Sequence, residues 1–245
     1  MGKSAMMRLM LISLLTLCSF AASGGIIASS TRVVFREGQT QQSLMVVNTN
    51  PWPIVVQTWV DEGDVTVLPG RVKTPFVAVP ALFRLQPKAM QGLRLIYNGS
   101  SLPADRESVF WLNLYEIPPT QAEQPAQAQS VVLTMNTQMK VFWRPASLTA
   151  PETAAEKLRF YRDGDAIVCE NPTPYYVSFA ALSVTTHDTR RAVEQLPDMM
   201  SSPLSTKRYP LVEGKPLTMA LSVNAVVIDD YGNHAVRQYP LHAKK

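Results

Sequence analysis

Val131-Val-Leu-Thr-Met-Asn-Thr-Gln-Met-Lys-Val-Phe-Trp143 sets Val131, Leu133 and Met135 against Val132, Thr134 and Asn136, and the period continues through Met139, Val141 and Trp143. A repeat of two sends alternate side chains to opposite faces, so this stretch predicts a β-strand with one apolar face. Thirteen residues is long beside a usual strand of about five or six. In a small sandwich such a strand overhangs its neighbours or lines an edge, and an exposed edge invites another strand. An ordinary core strand after a long hairpin loop fits the same spacing. The preceding residues, from Pro118-Pro119 to Val131, form a polar loop rich in Gln and Ala with no core residue.

The same strand pattern extends in both directions. Before it come runs at Thr31–Phe35, Ser43–Asn48, Ile54–Asp61, Phe76–Val79, Ala81–Leu85, Gly92–Tyr97 and Val109–Tyr115. Asn48-Thr-Asn-Pro, Glu62-Gly, Leu68-Pro-Gly and Asn98-Gly punctuate them as turns. That number of strands in about 120 residues is the size of an immunoglobulin-like sandwich. At Arg144-Pro-Ala-Ser-Leu-Thr-Ala-Pro the pattern stops at two prolines, which predicts an interdomain hinge. A second set follows at Leu158–Asp163, Ala166–Glu170, Tyr176–Val184, Leu217–Val227 and Ala235–Pro240, with one helical turn expected over Glu152–Lys157. The expected class is therefore all-β, two sandwiches in tandem, with domains at residues 25–147 and 148–245.

Residues 1–24 read as a cleaved signal peptide. Lys3 and Arg8 form a basic start, Leu9 to Phe20 an apolar run, and Ala21, Ala22, Ser23, Gly24 and Gly25 a small-residue end. The apolar run is too short for a helix of roughly 20 residues that spans a bilayer, so no stable membrane insertion is expected. Cleavage after Ser23 or after Gly24 places small residues at both required positions. Removing Lys3 and Arg8 lowers the net charge of +4 by two, to +2, with no clustered Lys/Arg, so no nucleic-acid partner is expected. Cys18 leaves with the leader. Cys169 then stands alone in the strand-like Ala-Ile-Val-Cys-Glu, where packing is the expected role.

Composition supports these readings. The 245 residues are 46% hydrophobic, which excludes disorder as the main state, and 19 prolines against 11 glycines disfavour long helices. No Gly-x-Ser-x-Gly, His-Glu-x-x-His, Cys-x-x-Cys or glycine-rich phosphate loop occurs. His187, His234 and His242 fall in expected loops or at the tail. Asp61-Glu62 and Asp229-Asp230 are adjacent pairs of the kind that point apart in a strand or lie solvated in a turn. No catalytic residue, metal site or cofactor is expected, and the chain is not read as an enzyme.

Leu102-Pro-Ala-Asp-Arg-Glu-Ser-Val-Phe-Trp-Leu-Asn-Leu-Tyr-Glu-Ile-Pro118 resembles the signature segment of the periplasmic pilus (fimbrial) chaperones of the chaperone–usher pathway. Lys140-Val-Phe-Trp-Arg-Pro145, Glu170-Asn-Pro-Thr-Pro-Tyr-Tyr-Val177, Thr31-Arg-Val-Val-Phe35 and Asp230-Tyr-Gly232 look like the same family, in the same order. The resemblance spans about Ile27 to Pro240. It implies two immunoglobulin-like domains set in an L, a periplasmic location, and pilus or fimbrial subunits and an outer-membrane usher as partners. In such proteins a donated strand fills the groove of a subunit that lacks its own last strand, which keeps the subunit folded and blocks early assembly.

Carried over residue by residue, Arg32 and Lys140 would anchor the subunit's C-terminal carboxylate, and Val131, Leu133 and Met135 would be the donor strand. Glu107, Arg144 and Asp230 would form an ion network between the domains. Read from spacing alone, Arg32 is equally a solvated strand residue and Lys140 an edge charge. In a regular strand Lys140 faces away from Val131, Leu133 and Met135, so either anchor and groove lie in different directions or a bulge intervenes. The sequence lacks the disulfide common near the end of the family's second domain, and its short loop after Pro119 goes with ordinary multi-subunit fimbriae. Self-association of the empty chain over its edge is a further partner. The alternative reading is a secreted immunoglobulin-like structural or binding module, such as a pilus component.

Overall fold

A computed structural model describes residues 24–64, 73–119, 133–186, 189–212 and 220–243. The leader expected at residues 1–24 therefore lies outside the described chain apart from Gly24, and so do Val131 and His187. Short apolar runs broken by turns give one sandwich before Pro145 and another after it, joined by a 3₁₀ turn at Pro151–Lys157 where one helical turn was expected.

In the first domain the leading run divides between two sheets. β1 (Ile26–Ala28) pairs with β3 (Gln41–Asn48), and β2 (Arg32–Arg36) pairs with β9 (Met135–Arg144). β5 (Phe76–Val79) and β7 (Met90–Tyr97) complete a sheet of order β1-β3-β7-β5. β4 (Ile54–Asp61), β6 (Leu82–Leu85) and β8 (Ser108–Ile117) complete the facing sheet, β2-β9-β8-β4-β6, in which only β2 and β9 run parallel. Alternation supplies the core between them, with Phe35, Val46, Leu93, Leu95, Leu112, Leu114 and Val141 all nearly or fully buried. Phe76 packs 4.8 Å from Phe35 and 5.3 Å from Phe110 between ring centroids. Burying one such side chain contributes about 1.5–3 kcal/mol.

The second domain consists of β10 (Arg159–Asp163), β11 (Ala166–Asn171), β12 (Val177–Thr186), β13 (Arg190–Ala192), β14 (Met200–Ser201), β15 (Ser205–Pro210), β16 (Ala220–Ile228) and β17 (His234–Ala243). β17 links its two halves, antiparallel to β16 through Pro240 and parallel to β10 from Leu241. His234 and His242 are therefore strand residues, where loops or the tail were expected. Phe160, Ile167, Cys169 and Tyr209 are fully buried in this core.

β9 positions the site. It begins at Met135, later than the alternation from Val131 suggests, because its neighbour β8 ends at Ile117 and Glu116 is the last residue to pair, with Met135. β2 covers the other edge of β9 only from Lys140 to Arg144. Among the described residues no strand pairs with the far edge of Met135–Met139.

Candidate functional site

The register of β8 against β9 is uninterrupted from Glu116–Met135 to Ser108–Trp143, so β9 carries no bulge there. Met139, Val141 and Trp143 point into the sandwich, and Gln138, Lys140, Phe142 and Arg144 lie on the outer face. Met135 shares parity with the core residues but lies beyond the core and is 54% exposed; Leu133, outside the strand, is 76% exposed. Of the two arrangements parity allowed, the strand adopts the one in which Lys140 and Met135 point in opposite directions.

The outer face of β9 meets the second domain. Phe142 packs against Tyr176 with the rings tilted and 5.9 Å between centroids. Arg144 Nε donates to Glu107 Oε1 at 2.6 Å, while Nη1 and Nη2 donate to Asp230 Oδ2 and Oδ1 at 2.7 and 2.9 Å. Glu107 Oε2 accepts from the Tyr176 amide at 2.8 Å, and the Glu107 amide donates to the Pro174 carbonyl at 2.9 Å. Sequence reasoning grouped Glu107, Arg144 and Asp230, and the structure brings all three into contact across the junction.

Electrostatics follow from that packing. Burial works against the Arg144 charge, but the hydrogen bonds and charges of Asp230 and Glu107 raise its pKa above the ordinary arginine value. Burial pushes the Glu107 carboxyl upward, opposed by Arg144 and the Tyr176 amide. With two donors at 2.6 and 2.8 Å, the ionised carboxylate is the form that fits the geometry. Gly232, in the hairpin between β16 and β17, has φ +86° and packs so closely on Thr31 that a Cβ would collide with the Thr31 hydroxyl. Only glycine meets both demands.

Arg32 and Lys140 are register partners on the adjacent parallel strands β2 and β9, about 4.8 Å apart in backbone spacing. Arg32 Nη1 donates to the Ile228 carbonyl at 3.3 Å, and its guanidinium lies 5.8 Å above the Phe142 ring. Arg32 Nε is buried and makes no hydrogen bond. Burial lowers the Arg32 pKa, with Asp230, Asp229 and Glu107 opposing, but a guanidinium stays charged at neutral pH. Lys140 Nζ lies 3.5 Å from Asp198 Oδ1. Burial lowers its pKa, Asp198 pulls it up, and Arg32 and Lys207 push it down again. Two cations side by side with an unused buried donor make an anion-binding arrangement.

Sequence reasoning missed Asp198. It lies in the loop between β13 and β14 and bridges Lys140 of the first domain to Lys207 of the second, whose Nζ lies 3.3 Å from Asp198 Oδ2. Asp198 Oδ1 is buried and accepts no hydrogen bond, so the Lys140 contact is an ion pair only. Nothing periodic in Leu-Pro-Asp-Met-Met singles this residue out, since its role depends on how the domains pack. Of the two arrangements expected for Asp61-Glu62, Asp61 takes the strand one: it ends β4 and is 2% exposed, accepting from Trp59, Asn113 and the Gly63 amide, while Glu62 is exposed. Cys169 is fully buried, its thiol pushed up to about 12 mainly by burial, which fits packing rather than reactivity. No group of His, Cys, Asp and Glu among the described residues is arranged to hold a metal.

A cavity of about 350 Å³ lies at this junction, lined in part by Arg32, Glu107, Phe142, Arg144, Tyr176 and Asp230. Comparison with known proteins gives consistent matches. A Bordetella pertussis chaperone protein, FimB/FhaD, is 36% identical over 219 residues, 86% of each chain. The Pseudomonas aeruginosa CupB2 chaperone superposes with a TM-score of 0.74 at 35% identity, covering 88% of this chain and 100% of that one. A chain of the Salmonella enterica SafA pilin–SafB chaperone complex superposes with a TM-score of 0.74 at 27% identity, covering 91% and 99%. Residues 25–149 match the family described as pili and flagellar-assembly chaperone, PapD N-terminal domain, and residues 153–239 match pili assembly chaperone PapD, C-terminal domain. With both domains matched in order and the signature segment on β8, the chain belongs to the PapD-type pilus assembly chaperones.

Proposed function

We propose that this chaperone binds pilus or fimbrial subunits in the periplasm by adding the free edge of β9 to each subunit's incomplete sheet. Met135, Leu133 and Val131 enter successive pockets of the subunit groove, and Arg32 and Lys140 take its C-terminal carboxylate. The capped subunit passes to an outer-membrane usher, where another subunit's strand replaces the chaperone's. Residues 1–24 direct export and are removed. Binding and release are the whole cycle, so it uses no catalytic residue.

The observation that carries this reading is the unpaired edge of Met135–Met139, which runs directly into the paired cations Arg32 and Lys140. Main-chain hydrogen bonds along such an edge supply affinity, alternate side chains supply specificity, and a terminal carboxylate on the cations fixes register. Three apolar side chains contribute about 1.5–3 kcal/mol each before ordering costs. The exposure of Leu133 and Met135, and the parity the sequence gives all three, fit a groove-filling role. The fibre-component alternative gains no support, because both sandwiches match chaperone domains.

The test is co-expression with a fimbrial subunit in the periplasm. Arg32→Ala should leave the chaperone folded and exported, while the subunit is degraded and ceases to co-purify. Recovery of subunit at unchanged yield would overturn the anchor assignment.

A further inference from the structure

The start of the described chain forms a buried polar cluster beside the last register pair of β8 and β9, Glu116 with Met135. Gly25 is buried, and its backbone N–H donates to Asn50 Oδ1 at 3.0 Å. Its carbonyl accepts from the Thr49 amide at 3.0 Å and from the Thr49 hydroxyl at 2.8 Å. Asn50 Nδ2 in turn donates to Glu116 Oε1 at 2.7 Å. Asn50 is 3% exposed and Glu116 6%. Glu116 Oε2 lies 3.8 Å from the point where a Cβ on Gly25 would stand. Among the described residues Asn50 is the only side chain bonded to the Glu116 carboxyl, and no cation pairs with it. Carboxylates this deeply buried are ordinarily paired.

We propose that the mature chain begins at Gly25 and that its α-ammonium is the cation of this site, held by Asn50 Oδ1 and the Glu116 carboxylate. The inference rests on the reading of residues 1–24 as a leader and is independent of how subunits bind. Water hydrolyses the Gly24–Gly25 peptide bond under a leader-removing endopeptidase. The C–N bond breaks, Gly24 keeps the new carboxylate, and the Gly25 nitrogen leaves with the protons that make it an ammonium. An amide offers one donor here; an ammonium offers three and a full charge. Small residues stand at Ala22 and Gly24, as cleavage at this bond requires. Cleavage one residue earlier fits the same sequence rule but puts the ammonium on exposed Gly24, leaving Glu116 without a cation. The structure thus separates two positions that the sequence leaves equal.

The test is to express the full chain with its own leader and determine the exported product by intact mass and N-terminal sequencing. A chain starting at Gly25 is expected. A start at Gly24, or at any other residue within the exported product, overturns the site. An uncleaved chain overturns the leader reading with it, and the two failures differ in mass. A second arm compares the Gly25 chain with one made without a leader that starts at Gly24, each with and without Glu116→Gln. The Gly25 chain should melt about 2–4 °C higher, and Glu116→Gln should abolish the difference. If Glu116→Gln lowers both chains equally, Glu116 acts through Asn50 alone and the ammonium assignment falls.

Discussion

Lys140 and Arg144 sit four residues apart on one face of one strand, yet their surroundings differ completely. Arg144 is 3% exposed and makes hydrogen bonds of 2.6, 2.7 and 2.9 Å to carboxylates from both domains. Lys140 has one ion pair at 3.5 Å, with an aspartate that is itself 42% exposed. Charge partners raise the pKa of Arg144 despite burial, whereas burial lowers that of Lys140. A cation bonded through all three of its nitrogens fixes geometry; one held loosely keeps its capacity for a ligand. Arg144 thus ties the domain that carries Lys140 and Arg32 to Asp230 of the other.

The largest expected effect comes from breaking the fixed member. Arg144→Ala leaves Glu107 buried without its cation, and loss of one partner from a buried pair costs about 3–5 kcal/mol. Urea unfolding should show this loss, and Arg144→Ala combined with Glu107→Gln should recover part of it. If the single variant is as stable as the parent, the network does not hold the junction.

Next in size is the loose member. Lys140→Ala should cost binding rather than folding, because its side chain is partly exposed and its one ion pair is long. Removing one partner of a desolvated charge pair costs about 2–5 kcal/mol, or roughly 30-fold or more in subunit affinity. The pH profile sharpens the contrast. A carboxylate binds the protonated amine, so affinity is full below the Lys140 pKa and falls above it. Because burial lowers that pKa, the fall should begin below the pH at which an ordinary lysine deprotonates. Lys140→Arg should flatten the alkaline limb, since a guanidinium stays charged. An alkaline limb unchanged by Lys140→Arg would remove Lys140 from the anchor.

Smaller still is the effect of one donor side chain. Met135 is 54% exposed, so Met135→Ala should leave unfolding unchanged. Loss of its burial in the subunit groove amounts to about 1.5–3 kcal/mol, or roughly 10- to 100-fold in affinity. Titration with a subunit measures this, and equal affinity would place the donated strand elsewhere on the chain.

Both cations were legible in the sequence as members of a motif, and the resemblance already gave them different roles, an anchor for Lys140 and an interdomain network for Arg144. Alternation along β9 left two arrangements of Lys140 and Met135, opposed faces or a bulge between them, and the uninterrupted register with β8 is what selects the first. Where β9 begins could not be read, because strand length is set by the partner: β8 ends at Ile117 and pairing stops with Glu116. β1 at Ile26–Ala28 and β14 at Met200–Ser201 are too short to show a period. β15, Ser-Thr-Lys-Arg-Tyr-Pro, is a polar edge strand whose conformation comes from pairing with β11. Asp198 was illegible for a related reason, since Lys140 reaches it only after two domains with separate cores have docked.

Asp198 gives the finest test of the comparison, because it acts on the loose cation in two opposing ways. Its carboxylate lies against Lys140, where it competes with an incoming subunit carboxylate for the same amine. It also pulls the Lys140 pKa upward against burial, which keeps the amine protonated. Asp198→Asn removes both effects. Near neutral pH, where Lys140 remains charged, loss of the competitor should dominate. Affinity for the subunit should then rise by up to about 5-fold, the range of a partly exposed ion pair. At alkaline pH the loss of support should dominate instead, and the fall in affinity should begin at lower pH than in the parent. The two affinity curves should therefore cross. Weaker binding by Asp198→Asn at every pH would mean that the aspartate positions Lys140 for the subunit, and that the amine is less free than its single 3.5 Å contact indicates.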